Sequence, residues 1–376
     1  MNSRNYEVIV VGAGLFGCYC AFELASHGLR TLLVERQEVA SGASGRGGGL
    51  LLKGATDVFS PELVPHLLEN QRLLEGFLEQ SGQDVEYVSK GSVYVAFEED
   101  WLFTQGEVRR MRDAGLAAEL WDQRVLREQL PYVTHEAVGA RFVPGDAQLA
   151  SVKLVGVLAD AARRAGVTIW TCTPVLNLAF NGENRATAVQ TDRERLECEW
   201  VVLATNAYTG HLLPELKSII VPTRGQAFLT EPLPPAGPFA CASNYDLEYW
   251  RQTTSGQILF GGCRRSEEGG SQGKGTESTE TTPEVLHSLQ EAFRRHFPSW
   301  GQVRLERAWA GTMGYTPDFK PLIGRVPGYP NLLVTAGCSG NGLPFFCLAG
   351  RSIRELILTG RSSHSLKSFA AERFLR

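Results

Sequence analysis

Three glycines in the spacing GxGxxG, Gly12, Gly14 and Gly17, follow the apolar run YEVIVV and open a helix-like stretch that stops at Gly28. Gly12 permits a tight turn, Gly14 lets the backbone approach a pyrophosphate, and Gly17 lets the helix pack closely on the strand. The start of the helix then offers unpaired N–H groups to phosphate charge. At the end of a second apolar run stands Glu35, 18 residues past Gly17. A carboxylate there accepts hydrogen bonds from both hydroxyls of an adenosine ribose, and disfavours the 2′-phosphate of NADP. The unit reads as a dinucleotide-binding βαβ motif. A βαβ unit whose glycines serve only packing leaves Glu35 unexplained.

A second glycine-rich stretch, VASGASGRGGGLLLKGA (Val39 to Ala55), leaves little side chain between the backbone and whatever lies beside it. A flexible linker does not usually resume at once in a strand-like Leu50-Leu51-Leu52, so a cradle for a second large cofactor surface is the better reading. Near the other end, TAGCSGNGLPFF (Thr335 to Phe346) again sets glycines before a helix, with Pro344 where a missing N–H costs little. A helix N-terminus at that point favours an anion, such as the reduced pyrimidine end of a flavin; a capped structural helix is the plainer alternative. Between these motifs, GTMGYTPDFKPLIG (Gly311 to Gly324) packs turn residues around Met313, Tyr315, Asp318 and Lys320.

Taken together, the GxGxxG with Glu35-Arg36, SGASGRGGG, VVLATNAYTG (Val201 to Gly210), PTRGQ (Pro222 to Gln226) and TPDFKPLIG…TAGCSGNG resemble the D-amino-acid oxidase family of FAD-dependent amine oxidoreductases. That group is similar in layout to glycine oxidase, sarcosine oxidase and gamma-glutamylputrescine oxidase. The resemblance implies an α/β fold: a discontinuous, Rossmann-like FAD-binding domain (residues 1–84, 148–217 and 305–376) with an antiparallel-sheet substrate domain inserted (85–147 and 218–304). It places cofactor contacts at Leu15, Phe16 and Arg36 beside the first motif. In the cradle it places them at Ser41, Ala43, Ser44, Gly45, Arg46, Gly48, Gly49 and Leu50. Further on it adds Val175, Ala204, Thr205 and Gly311, and at the late turn Gly340, Asn341, Gly342 and Leu343.

The same resemblance implies oxidation of an amine C–N bond to an imine, with FAD held noncovalently. Sarcosine-oxidase-like members attach flavin to a cysteine where this chain has Gly311, and use a lysine for oxygen where it has Ile258-Leu259-Phe260. Pro344 replaces a carboxylate-binding lysine. Met313 stands where glycine oxidase and its relatives place an arginine on the substrate carboxylate, a role a thioether cannot fill. The remaining polar candidates are Lys53, at the end of the cradle, and Tyr249 and Arg251, which alternate onto one face of a strand and together suit an amine with a remote anionic group. Two other readings stay open. Gly145-Asp146-Ala147 matches the GDA of NADPH-using flavin hydroxylases, although it falls mid-chain, and a flavin can also be kept as a structural element by a non-catalytic subunit.

Among the elements that position these residues, VEYVSKGSVYVAF (Val85 to Phe97) alternates like antiparallel strands, Ser151–Ala165 is helix-like, and Val175–Trp200 reads as short strands with turns at Asn181-Gly182 and Asp192. Leu305 onward is expected in the FAD domain, and the last helix over 343–359. The polar, glycine-rich Gly261–Pro283 reads as a mobile loop, or a lid over the pocket. For 376 residues, 43% hydrophobic and 21% charged, two domains are the natural size. A net charge of −4 gives no pull on nucleic acid or anionic membrane. No signal peptide and no apolar run of about 20 residues is present, so no membrane partner is expected. Eight scattered cysteines, mostly in apolar runs, fit a reducing cytosol, and the CxC pair Cys18 and Cys20 points about 200° apart on a helix, which argues against a metal site.

Overall fold

The computed structural model describes residues 6–55, 59–244 and 247–375. A first sheet carries the parallel strands Tyr6–Val11, Thr31–Val34, Thr168–Trp170, Arg195–Leu203 and Leu332–Ala336, with Leu322–Arg325 antiparallel at one edge and a hairpin of Val175–Phe180 and Ala186–Thr191 extending from Arg195–Leu203. Its strands are apolar on both faces because both are covered. Val8, Val10 and Leu33 face a core with the helices Leu15–Ser26, Ser151–Arg164 and Phe346–Thr359, while Ile9, Val11 and Leu32 face the core under the hairpin. Close approach of the first and last helices depends on Gly350, where a Cβ would stand 2.6 Å from the Tyr19 ring.

The second sheet has eight strands, in the order Leu305–Tyr315, Val221–Pro232, Gln257–Gly262, Glu248–Gln252, Ala240–Ser243, Ser92–Ala96, Gly139–Val143 and Glu119–Asp122. Its pairs are antiparallel except Ala240–Ser243 with Ser92–Ala96. The helix Pro283–His296 covers one face through Phe293, Leu289 and Val285 packed on Phe228, Trp250 and Phe260. Alternation along Glu248–Gln252 then turns Tyr249 and Arg251 to the opposite face, toward the cradle.

Two expected placements change. Leu305–Tyr315 does not join the first sheet: it pairs along its length with Val221–Pro232 at the edge of the second. The chain crosses to the first sheet only at the turn that follows, where Asp318 holds Arg373 at 2.8 and 3.1 Å and Lys320 reaches Glu62 at 2.7 Å. Gly261–Pro283 is pinned along the strand it borders. Arg224 grips Glu267 at 2.9 and 2.7 Å, its amide donates to the Gly273 carbonyl, and Gly275 donates to that of Pro222. Among the described residues no helix is long and apolar enough to cross a membrane, and no cluster of three or more His, Cys, Asp or Glu could hold a metal ion. All eight cysteines are free thiols.

Candidate active site

The junction of the two sheets encloses a cavity of about 630 Å³. Its floor is the end of the first strand. Gly12 turns the chain at φ +106°, and a Cβ there would stand 2.6 Å from the Ala204 carbonyl oxygen; at Gly17 a Cβ would lie 1.7 Å from that of Gly12. Strand, helix and the turn at Ala204-Thr205 can therefore meet only over glycine. Gly14, Leu15 and Phe16 line the cavity where the helix begins; Gly14 at the N-cap has no side chain, and the Leu15 amide donates to the Ser44 hydroxyl at 3.0 Å. Glu35 is fixed from behind: its carboxylate accepts from the Ala13 amide at 2.8 Å and the Gln37 amide at 3.0 Å. Beside it Arg36 lies over the Tyr208 ring, 3.7 Å from its centre, and both line the wall with Val175, Ala204 and Thr205.

Ser41, Ala43, Ser44, Arg46, Gly48, Gly49 and Leu50 form the next wall. Gly49 has φ +77°, and a Cβ would stand 2.0 Å from the Leu149 carbonyl oxygen, so the cradle is tied to the strand Ala147–Gln148 behind it. Gly311, Gly340, Asn341, Gly342 and Leu343 close the far end. Gly17 and Gly45 do not line the cavity; they act by packing, Gly45 against the Ala40 carbonyl. The helix start opening on the cavity, the carboxylate beside it and a continuous glycine wall fit a dinucleotide, with a second large group lying along the cradle.

From the second sheet come Tyr249, Met313, Tyr315 and Trp309, and from the turn after the strand Gln257–Gly262 comes Arg264. The Met313 side chain is confined between two glycines: a Cβ at Gly225 would meet Cε at 2.6 Å, and one at Gly340 would meet Sδ at 3.4 Å. Tyr249 keeps a face open to the cavity, but burial, followed by the neighbouring Tyr315 hydroxyl, pushes its own hydroxyl up to about 12. It stays a donor throughout the working pH range.

Two residues expected at the substrate are elsewhere. Lys53 is buried behind the cradle, its ammonium against the Gly145 carbonyl, Gln71 and, at 3.2 Å, the Asp146 carboxylate. Arg251 shares a face with Tyr249 but stops against the cradle: its Nε donates to the Gly48 carbonyl at 2.6 Å, and burial lowers its pKa. It is a strut. Arg251→Met is expected to weaken FAD binding about tenfold, the scale of one charge-assisted hydrogen bond, while apparent substrate affinity of the FAD-saturated protein holds within about twofold. Fluorescence titration of apoprotein with FAD checks the first figure, and steady-state kinetics the second.

The late helix also differs from expectation. It begins at Phe346 rather than Leu343, and the amides of its second and third residues are taken by a side chain from another helix. Asn70, fully buried on the helix Val64–Ser81, accepts from the amides of Cys347 and Leu348 at 2.9 and 3.3 Å and donates to the Leu343 carbonyl at 2.9 Å. The helix is capped structurally, and the turn before it supplies the cavity wall. Sequence reasoning missed Arg264 and Tyr315 as wall residues, together with Asn206, whose Oδ1 accepts from the Gly337 amide at 3.0 Å and so holds the late turn in place. The GDA motif is absent from the wall: Asp146 accepts from the Lys53 amide at 3.0 Å and from the Ser92 hydroxyl at 2.7 Å.

A family model described as FAD dependent oxidoreductase (DAO) matches residues 7–356. The chain belongs to this family. The resemblance drawn from the motifs is borne out, and FAD is the cofactor that the glycine walls accommodate. Hydrogen cyanide synthase subunit HcnC of Pseudomonas protegens is 26% identical to this oxidoreductase, covering 99% of this chain and 97% of that protein. Glycine oxidase of Bacillus subtilis is 25% identical, covering 94% of each. The crystal structure of L-proline dehydrogenase from P. horikoshii has the same fold, with a TM-score of 0.89 over 98% of each chain at 23% identity.

Proposed function

We propose that the protein oxidises a C–N bond of a small amine or amino-acid derivative to an imine. The observation that carries this reading is the composition of the cavity wall. Its cofactor side is glycine-built and its other side presents Tyr249, Tyr315 and Met313 without a carboxylate, since Glu35 is the only acid among the described wall residues. Bound FAD supplies the acceptor for a hydride from the carbon next to the amine nitrogen. The chain's own part is to orient that C–H bond, to exclude water with Met313, Ala242 and Leu247, and to donate from the Tyr249 hydroxyl. Among the described wall residues the one carboxylate, Glu35, is on the cofactor side and His211 is engaged by Glu277, so the reactive amine is taken to be the neutral form.

FAD is proposed to be noncovalent. Cys338 is the only cysteine among the described wall residues, and burial pushes its thiol up to about 12, so it offers no thiolate for attachment. Eight free thiols fit the reducing cytosol as its place of work. Removal of the GDA motif from the wall argues against an NADPH-using hydroxylase.

The test is anaerobic mixing of the FAD-loaded protein with amino acids, N-methyl amino acids, acylated diamines and NADPH. Bleaching of the visible flavin band by an amine and not by NADPH is expected; no bleaching by any amine overturns the reading. The reduction rate is further expected to rise with pH along each amine's own deprotonation curve. One profile shared by all amines would instead reveal a side-chain base.

A further inference from the structure

Arg264 enters the cavity wall from a segment whose composition reads as featureless loop. The backbone there is specified. Gly262 has φ +127°, and a Cβ on it would stand 1.8 Å from the Leu247 carbonyl oxygen; Cys263 follows in the left-handed region at φ +52° and donates its amide to that same oxygen at 2.8 Å. A cysteine held at positive φ is a strained choice, maintained by its surroundings. The chain thus leaves the strand Gln257–Gly262 in one direction, and the 3₁₀ turn Arg264–Ser266 sets the guanidinium carbon 4.8 Å from the centre of the Tyr315 ring.

The charge there is unspent. Among the described residues no carboxylate pairs with Arg264, whereas Arg224 on the neighbouring strand is gripped twice by Glu267. The one acid among the described wall residues, Glu35, is held by the backbone amides of Ala13 and Gln37. Among the described residues Arg36 and Arg46 are wall cations that likewise pair with no carboxylate, but Arg36 lies over Tyr208 beside Glu35, and Arg46 stands on the short helix Ala43–Arg46 with its stem against Gly311, both on the cofactor side. Arg264 is accordingly the positive group of the substrate side, half-buried, braced by an aromatic ring and beside the donor Tyr249.

We propose that Arg264 is the anion-binding residue of the substrate pocket and that the substrate is an amine carrying a carboxylate. The proposal rests on the reading of the protein as an amine oxidoreductase. A guanidinium fork matches a carboxylate with two parallel hydrogen bonds, and its desolvation in the cavity is offset only when that anion arrives. One uncompensated cation calls for a monoanion rather than a dianion. Met313, fixed between Gly225 and Gly340, leaves this role to the turn at 264 and supplies an apolar surface for the rest of the substrate.

Matched pairs decide the question on the FAD-loaded protein: glycine with glycinamide, sarcosine with sarcosinamide, proline with prolinamide, plus aminomethylphosphonate. For the pair that reduces flavin best, the acid is expected to act at about 100-fold lower concentration than the amide. Arg264→Met brings that ratio near unity, and Arg264→Lys retains about tenfold. Equal action of acid and amide on the native protein overturns the proposal, even if the variants fail to fold. So does an unchanged ratio in Arg264→Met, or a phosphonate that outperforms glycine. Perturbation of the flavin spectrum by acetate and benzoate gives a second readout, expected in the native protein and lost in Arg264→Met. If no amine of either kind reduces the flavin, the oxidoreductase reading fails, and this spectral titration still judges Arg264.

Discussion

Gly12→Val is expected to lower FAD affinity at least 100-fold, or about 2.7 kcal/mol, and to lower the melting temperature of the apoprotein. Two costs act together. The backbone at φ +106° is one that a β-branched residue rarely adopts, and the added Cβ would stand 2.6 Å from the Ala204 carbonyl oxygen and 3.0 Å from its carbon. Neither neighbour can yield: Ala204 sits at the end of a strand paired in parallel with Tyr6–Val11, and its amide donates to the Val11 carbonyl at 2.9 Å. The turn must therefore open, which moves Gly14 and the helix start away from the cavity. Gly76→Ala is the control, since nothing lies within 4 Å of a Cβ at that helical glycine. It is expected to leave FAD binding unchanged and to stabilise the helix slightly, by roughly 0.5–1 kcal/mol. Apoprotein titrated with FAD, with thermal unfolding in parallel, measures both. A Gly12→Val protein that binds FAD like the native one would remove the close strand–turn contact from the account.

Asp146→Ala is expected to destabilise the fold by about 3–5 kcal/mol, because it leaves the Lys53 ammonium buried with only neutral partners. Both side chains of the pair are almost wholly enclosed, at 2% and 1% exposure, with nitrogen and oxygen 3.2 Å apart. The loss extends beyond the ion pair, since Asp146 also accepts from the Lys53 amide and the Ser92 hydroxyl and so ties the cradle's end to the second sheet. The double variant Lys53→Met with Asp146→Leu removes both charges together and is expected to recover much of the loss. Urea unfolding of the two single variants and the double gives the coupling. Kinetics of Lys53→Met separate this structural role from the substrate role that its place in the sequence first implied. Unchanged stability with a substrate affinity weakened tenfold or more would return Lys53 to the active site.

Residues whose function is set by their immediate neighbours are legible in the sequence. Gly12, Gly14, Gly17 and Glu35 define one local βαβ geometry, and the cradle and late turn advertise themselves through glycine content. What escaped depends on pairing across long separations. The strand Leu305–Tyr315 alternates in the same way whichever sheet receives it, and only its register with Val221–Pro232 assigns it to the second. Period-two alternation turns Tyr249 and Arg251 to one face, yet gives no measure of depth, so it does not distinguish a substrate contact from the bond that Arg251 makes to the Gly48 carbonyl. Asn70 lies some 270 residues from the helix end it caps, and nothing local marks it. Arg264 was hidden for a different reason. Its segment is polar and rich in glycine, a composition shared by mobile loops and by tightly specified turns, and the positive φ of Gly262 and Cys263 that distinguishes the two is not written in residue type alone.

The visible spectrum of the purified protein, recorded before and after acid precipitation, bears on all of this at once. The walls described above predict a yellow protein that releases its FAD intact into the supernatant and takes up one equivalent again on refolding. A colourless protein that develops no flavin band when FAD is added would contradict the account at its base.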